Sequence, residues 1–176
     1  YQVPLGTTVR ELIEQAGGVC GGRKLLAFAP GGASSNFLPA DQVDVKLSFN
    51  DLAKAGSMLG SGAVIVMDET RDMPESLRRL SYFYMHESCG QCTPCREGGT
   101  WLERILSRVV DGKGTSADLE QLIEVGTSIC PGDFPHASNE KLGLTAVPFP
   151  YKMNTICFVG PSAYPPVNSA LVLFRE

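Results

Sequence analysis

The chain has 176 residues and little in it that would suit a bilayer, a nucleic acid or an oxidising compartment. The longest apolar stretch, residues 63–67, is far short of the roughly 20 residues that span a membrane, so direct membrane insertion is not expected. Basic residues are not in excess: 15 Lys and Arg face 19 Asp and Glu, a net charge of -4. A nucleic-acid partner would want a basic face to neutralise phosphates, so none is expected. Histidine is scarce, with two, and there is one tryptophan. No secretory signal pattern accompanies the six cysteines, which therefore read as ligands or free thiols in a reducing compartment and not as a disulfide framework. The first residue is Tyr1 and not Met, which reads as the start of a fragment. A hydrophobic content of 43% with 19% charged residues suits one globular core or two small ones.

What is present is a concentration of sulfur. In Cys89-Gly90-Gln91-Cys92-Thr93-Pro94-Cys95 a cysteine recurs at every third position. Along a regular helix or strand these side chains would spread over different faces, so the backbone must curl for the thiolates to serve one inorganic centre. Gly90 permits the bend and Pro94 stiffens it, while Gly98 and Gly99 are expected to delay the next helix until Thr100 or Trp101. A disulfide between such near neighbours would close a strained ring. Structural zinc accepts the same two-residue gap but usually takes two separated pairs, whereas a run of three with one distant cysteine matches the ligation of 4Fe-4S clusters. A zinc-stabilised binding module without redox activity is the alternative. Three sulfurs leave the site open, and Cys130 and Cys157 compete for the fourth place, with sequence distance favouring neither. Cys20, beside a glycine turn, reads as an incidental thiol. Arg96 could raise the potential of an anionic cluster or pair with Glu97 or Glu103 on the surface, and His86 suits hydrogen bonding or packing better than ligation.

The patterning around this loop is α+β. Up to about residue 68, strands are expected at residues 1–3, 24–29, 43–47 and 63–67. Thr8 and Glu11 form a capping box for a two-turn helix carrying Val9, Leu12, Ile13 and Ala16, which ends at Gly17-Gly18. The glycine-rich stretch at 56–62 precedes a strand instead of opening a helix, so it reads as a tight connection and not a phosphate cradle. Beyond it the pattern turns helical. Pro74 lies in the first turn of a helix with Leu77, Leu80 and Tyr84 on one face. Trp101, Leu102, Ile105, Leu106 and Val109 form the stripe of a second. A third begins at Thr115 or Ser116 with Leu119, Leu122 and Ile123 inward, and Val167, Ala170, Leu171 and Phe174 mark a fourth. Residues 129–156 have no usable periodicity.

The stretch His86-Glu87-Ser88-Cys89-Gly90-Gln91-Cys92-Thr93-Pro94-Cys95-Arg96-Glu97-Gly98 resembles the cluster signature of the NADH-binding flavoprotein subunit of respiratory complex I. Diaphorase subunits of NAD-reducing hydrogenases and NAD-dependent formate dehydrogenases share that signature. A second block, residues 52–69, is similar to the segment preceding the cluster domain in that family. The resemblance implies a small β-grasp module, ubiquitin-like and SLBB-type, at residues 1–70. A four-helix-bundle 4Fe-4S domain would follow at 71–176, with an irregular insertion at about 130–155 that could pack over the cluster or touch a neighbouring subunit. It implies that the domain carrying FMN and the NADH site is absent from this chain, so that the segment alone binds neither and is not itself catalytic. The implied role is electron relay within an NADH:quinone oxidoreductase, from FMNH2 through a 4Fe-4S cluster to an adjoining iron-sulfur subunit. Its implied place is peripheral, on the cytoplasmic side of a bacterial inner membrane or the matrix side of a mitochondrial one. The resemblance also bears on the fourth ligand: Thr155-Ile156-Cys157 and the residues after it are similar to the family's terminal cysteine segment, in which a short turn and a proline precede the last helix. Pro161 and Pro165 depart from that pattern, where the family usually has an acidic residue or alanine and an aromatic residue. Cys157 also sits just ahead of a helix that packing would fix, whereas Cys130 opens the irregular stretch. The expected ligand set is therefore Cys89, Cys92, Cys95 and Cys157.

Overall fold

Thr8 and Glu11 cap each other as the sequence predicts: the Thr8 hydroxyl accepts from the Glu11 N–H, and the Glu11 carboxylate accepts from the Thr8 N–H at 2.7 Å. The computed structural model, which describes residues 1–131 and 153–174, thus opens with helix α1, Val9–Gln15, burying Val9 and Ile13. The expected irregular insertion at about 130–155 lies for the most part outside the described residues. Three strands follow, β1 at Leu25–Ala29, β2 at Leu38–Pro39 and β3 at Ile65–Asp68, in the order β2-β1-β3 with both pairings antiparallel. Phe28 sits opposite Leu38 on one side and Val66 on the other. Alternation along β1 divides its side chains between two cores: Phe28 packs with Val9, Ile13, Leu38 and Leu52, while Ala27 and Ala29 face the helical half. Helix α2, Phe49–Lys54, is capped by Ser48.

Two expected strands are not there. Residues 1–3 are not a strand, and residues 43–47 make only an isolated bridge between Thr8 and Lys46, although Val43 and Leu47 are buried. Backbone bonds from Val43 to Ala40 and from Val45 to Gln42 curl the start of the second of these into turns, and bonds from Gly6, Val9 and Arg10 to Leu47, Val45 and Val43 tie it to the chain around the start of α1 in place of a regular strand pairing. Strand β2 went unpredicted because two residues, one a proline, carry no periodicity. Among the described residues no helix is long and apolar enough to cross a membrane.

In the C-terminal half, α3, Met73–Glu87, starts where Asp72 accepts from the Glu75 N–H, with Pro74 in its first turn. Leu77 and Tyr84 are buried on the expected face. Helix α4 runs from Thr93 to Val110, so Gly98 and Gly99 lie inside it and do not delay it. A methyl group on Gly98 would fall 2.7 Å from Ile129 Cδ1, so this glycine lets α4 approach α5 closely, whereas one on Gly99 would rest 3.5 Å from Met85 Cα, an ordinary contact with α3. Trp101, expected inward, is 54% exposed on the outer face of α4, beside Gln121 and Glu124. Helix α5, Ser116–Ile129, opens on a capping box between Thr115 and Asp118. A single turn, α6 at Val159–Ser162, leads into α7 at Tyr164–Leu173, whose first turn holds Pro165 and Pro166 and which starts earlier than its apolar stripe suggests.

Helix α3 packs along α4, α4 along α5 and α5 along α7, with α6 against α3 and α4. Their core of Leu77, Tyr84, Leu102, Ile105, Leu122, Ile129, Tyr164 and Val167 also includes Ala27, Ala29, Phe37 and Met67 from the sheet half. The two halves are pinned at Ser169, whose hydroxyl accepts from the Phe37 N–H at 2.8 Å and donates to the Pro165 carbonyl at 2.8 Å.

Candidate metal centre

The three-cysteine loop bridges two helix ends. Ser88 leaves α3 in an extended conformation (φ -64°, ψ 125°), Gly90 turns the chain with a left-handed φ of +80°, and Cys92 occupies the cap position of α4, placing Cys95 in that helix's first turn. A side chain at Gly90 would be strained in this conformation, which accounts for the glycine. Cys92 and Cys95 sit at the N-terminal end of an 18-residue helix, where backbone N–H groups have no partner within the helix. Cys89 is exposed, while Cys92 and Cys95 are half-buried.

Neighbouring polar groups brace the loop. The Arg96 guanidinium donates to the Gly90 carbonyl at 2.6 Å and to Glu97 at 2.9 Å, whereas Glu103 accepts from Ser107. Of the pairings weighed for Arg96, the structure has the one with Glu97 and adds a clamp on the turn. Ser88 Oγ accepts from the Gly90 N–H at 3.3 Å and lies 3.3 Å from Cys95 Sγ. His86 is exposed, with its ring stacked beside Tyr82 at 6.2 Å between centroids and Nδ1 3.3 Å from the Glu87 carboxylate.

A segment some sixty residues later comes back to this loop. The Asn154 amide donates to the Ser128 carbonyl at the end of α5, the Thr155 hydroxyl donates to the Cys157 carbonyl, and the Ile156 N–H donates to Cys92 Sγ at 3.3 Å. On the far side of Cys157, a methyl group on Gly160 would fall 3.2 Å from Cys95 Cβ. Cys157 is thus bracketed by two contacts with the loop, and it is exposed. Cys130 is placed differently: it caps α5 at 1% exposure within the helical core, and burial pushes its thiol up to about 11. A thiol held there disfavours the thiolate that a metal needs. Cys20 is exposed on a short turn in the other half of the chain, at the edge of a cavity of about 400 Å³ lined also by Tyr1, Leu12 and Arg71.

Among the described residues no three His, Cys, Asp or Glu side chains converge on a point where one metal ion could sit. A single zinc needs its sulfurs about 2.3 Å from one centre, whereas a four-iron cluster spreads them over its separate irons. Three thiols in one loop at a helix N-terminus, a further cysteine in a segment that touches that loop, and an N–H directed at one sulfur are a donor set that suits the second demand. Sequence reasoning assigned no role to Ser88, Ile156 or Gly160. A hydroxyl or a backbone N–H has no spacing signature, and only the fold shows what it faces.

Residues 75–134 match the family model described as the NADH-ubiquinone oxidoreductase-F iron-sulfur binding region. The chain is 38% identical over 176 residues to the F subunit of NADH-quinone oxidoreductase from Mycobacterium tuberculosis (strain ATCC 25618 / H37Rv), a match covering 100% of this chain and 35% of the relative. It is 40% identical over 174 residues to the corresponding F subunit of Rickettsia rickettsii (strain Sheila Smith), covering 98% of this chain and 36% of that protein. The chain therefore spans about a third of the length of the curated relatives it matches. Among solved structures it superposes on the air-oxidized NAD+-reducing [NiFe]-hydrogenase with a TM-score of 0.77 at 25% identity, covering 100% of this chain and 26% of the hydrogenase chain.

Proposed function

We propose that this chain, which carries the iron-sulfur binding region of the NADH-quinone oxidoreductase F subunits, is the electron-relay portion of such a protein. Cys89, Cys92, Cys95 and Cys157 would hold a 4Fe-4S cluster. When bound, that group takes up and returns one electron at a time; the protein's part is to bind it, shield it and place it. The observation that carries the reading is the Ile156 N–H on Cys92 Sγ, which brings the segment of Cys157 onto the three-cysteine loop. Helix α4 offers its positive end to the thiolates, and the exposed Cys89 and Cys157 leave one side open to a neighbouring carrier.

In this reading residues 1–70 form a β-grasp, SLBB-type module and residues 71–176 a four-helix-bundle cluster domain. The electrons come from FMN reduced by NADH in a part of the protein that this chain does not contain, and they leave to an adjoining iron-sulfur subunit of a complex peripheral to the membrane. The same relay within a NAD-reducing hydrogenase is supported by the structural likeness; the higher sequence identity favours the quinone oxidoreductase. The test is metal content: the chain purified or reconstituted without oxygen should hold about four irons and four sulfides. On one-electron reduction it should give a paramagnetic signal, and a colourless, zinc-loaded chain would end this reading.

A further inference from the structure

We propose that the Ser88 hydroxyl donates a hydrogen bond to the Cys95 thiolate and thereby raises the reduction potential of the bound cluster, with Arg96 holding the turn that aims it. This rests on the cluster reading above. It concerns two residues that the ligand set leaves without a role.

The geometry gives the bond a direction. Ser88 Oγ and Cys95 Sγ are 3.3 Å apart, a distance at which either a thiol or a hydroxyl could donate. A thiolate ligand has no proton to give, so once Cys95 is ligated the hydroxyl must be the donor. The Gly90 N–H, 3.3 Å away, donates to the same Ser88 oxygen, which occupies one lone pair and leaves the O–H free to swing to the sulfur. The Gly90 peptide is itself held. Its φ of +80° sets the turn, and the Arg96 guanidinium grips its carbonyl at 2.6 Å while Glu97 fixes the guanidinium at 2.9 Å. A line of contacts thus runs from Glu97 through Arg96, Gly90 and Ser88 to the Cys95 sulfur.

Reduction adds negative charge that is shared with the ligand sulfurs. A donor on a sulfur is worth more to the reduced cluster than to the oxidised one, and the potential rises. The Ile156 N–H does the same for Cys92, but as a backbone group it belongs to the fold, whereas the Ser88 hydroxyl can be removed by one substitution. Ser88 is a positioning and tuning residue in this account and not a ligand.

The experiment is a redox titration of the reduced-cluster paramagnetic signal in the 176-residue chain, loaded anaerobically with iron and sulfide, for wild type, Ser88→Ala, Ser88→Thr and Arg96→Lys. Ser88→Ala should keep its iron and its signal intensity, and its potential should move negative by up to about tenfold in the one-electron equilibrium constant, about 59 mV. Ser88→Thr, which keeps a hydroxyl in an extended position, should titrate with wild type. Arg96→Lys, which keeps the charge but loses the two-armed grip on Gly90 and Glu97, should move negative by part of the Ser88→Ala shift. A fully loaded Ser88→Ala at the wild-type potential overturns the proposal while leaving the cluster reading intact. If Ser88→Ala and Ser88→Gly both arrive without iron while Ser88→Thr retains it, the hydroxyl is needed for assembly and the tuning role also falls. A wild-type chain that takes up no iron overturns the underlying reading together with this one.

Discussion

Three helix glycines touch their neighbours with different severity, and the fold therefore ranks the outcome of giving each a methyl group. At Gly99 the added carbon would rest 3.5 Å from Met85 Cα, an ordinary contact, so Gly99→Ala keeps only the propensity gain of a helix interior, about 0.5–1 kcal/mol. At Gly98 it would fall 2.7 Å from both Cδ1 and Cγ1 of the buried Ile129, which can relieve the overlap only by rotating its whole side chain, and the clash should at least cancel the gain. At Gly126 it would land on the ring of Tyr164, 2.7 Å from Cγ and overlapping Cδ2 and Cε2. That ring has 0% exposure and is followed directly by Pro165 and Pro166, so it has nowhere to go. Overpacking of this kind costs about 1–3 kcal/mol. Net of propensity, Gly126→Ala should lose about 1–2 kcal/mol and melt roughly 2–8 °C below wild type. Thermal unfolding followed by far-UV circular dichroism, on preparations matched for iron content, should give the order Gly99→Ala highest, Gly98→Ala near wild type, Gly126→Ala lowest. A Gly126→Ala chain that melts with or above Gly99→Ala would refute the reasoning, since the ring would then have room that the packing denies it.

The fourth ligand separates cleanly: Cys157→Ala should lose most of the iron and the reduced-state signal, whereas Cys130→Ala should keep both and show only a packing loss of about 1 kcal/mol in unfolding; the reverse pattern in iron analysis would move the ligand to Cys130. Ser169→Ala would strand the buried Phe37 N–H at a cost of about 1–3 kcal/mol. Because the sheet and the helices share a core there, near-UV and far-UV melts of that variant should fall together, and two separate transitions would mean that the halves fold independently. Asp68 should give part of the stability its pH dependence: the Thr70 hydroxyl and N–H, then the Arg23 guanidinium, hold its carboxyl down at about 2 against an ordinary 3.8. A carboxylate depressed in the folded state contributes stability that is complete above pH 3.8 and is lost as pH falls towards 2. Urea midpoints taken from pH 5 down to 2 should therefore drop more steeply for wild type than for Asp68→Asn, and parallel curves would show that this carboxylate is not linked to folding.

What could be read from the sequence was whatever is settled within a few residues. The Thr8–Glu11 box, Pro74 in a first turn and a start at Thr115 or Ser116 were all readable, and in the structure the Thr8–Glu11 box, the Asp72 cap and the Thr115–Asp118 box satisfy helix-end N–H groups locally at those places. The errors fall where a distant partner decides. Gly98 and Gly99 looked like breakers, yet α4 runs through both, and at Gly98 the close approach of Ile129 accounts for the glycine. Trp101 lies on the apolar stripe of that helix by spacing, but it falls beside the polar Gln121 and Glu124 of α5 and stays 54% exposed. Residues 43–47 alternate like a strand, but their backbone partners are the residues around the start of α1, which support one isolated bridge and no strand.

The cysteines illustrate the same division. The expectation for Cys89, Cys92 and Cys95 rests on local spacing alone, and the loop that carries them does turn at Gly90. Cys130 and Cys157 are chemically identical letters, and nothing in their distance from the loop distinguishes them. The distinction arises from where the fold puts each one. Cys130 closes α5 inside an apolar core, where its thiol is pushed up to about 11, so opening it to a cluster would cost both packing and charge burial. Cys157 lies in a segment tied to α5 through Asn154 and to the loop through Ile156 and Gly160, exposed and beside the positive end of α4. The proposed ligation at Cys157 therefore rests on its neighbours Ile156 and Gly160, which meet the loop at Cys92 and Cys95, and not on its distance along the chain.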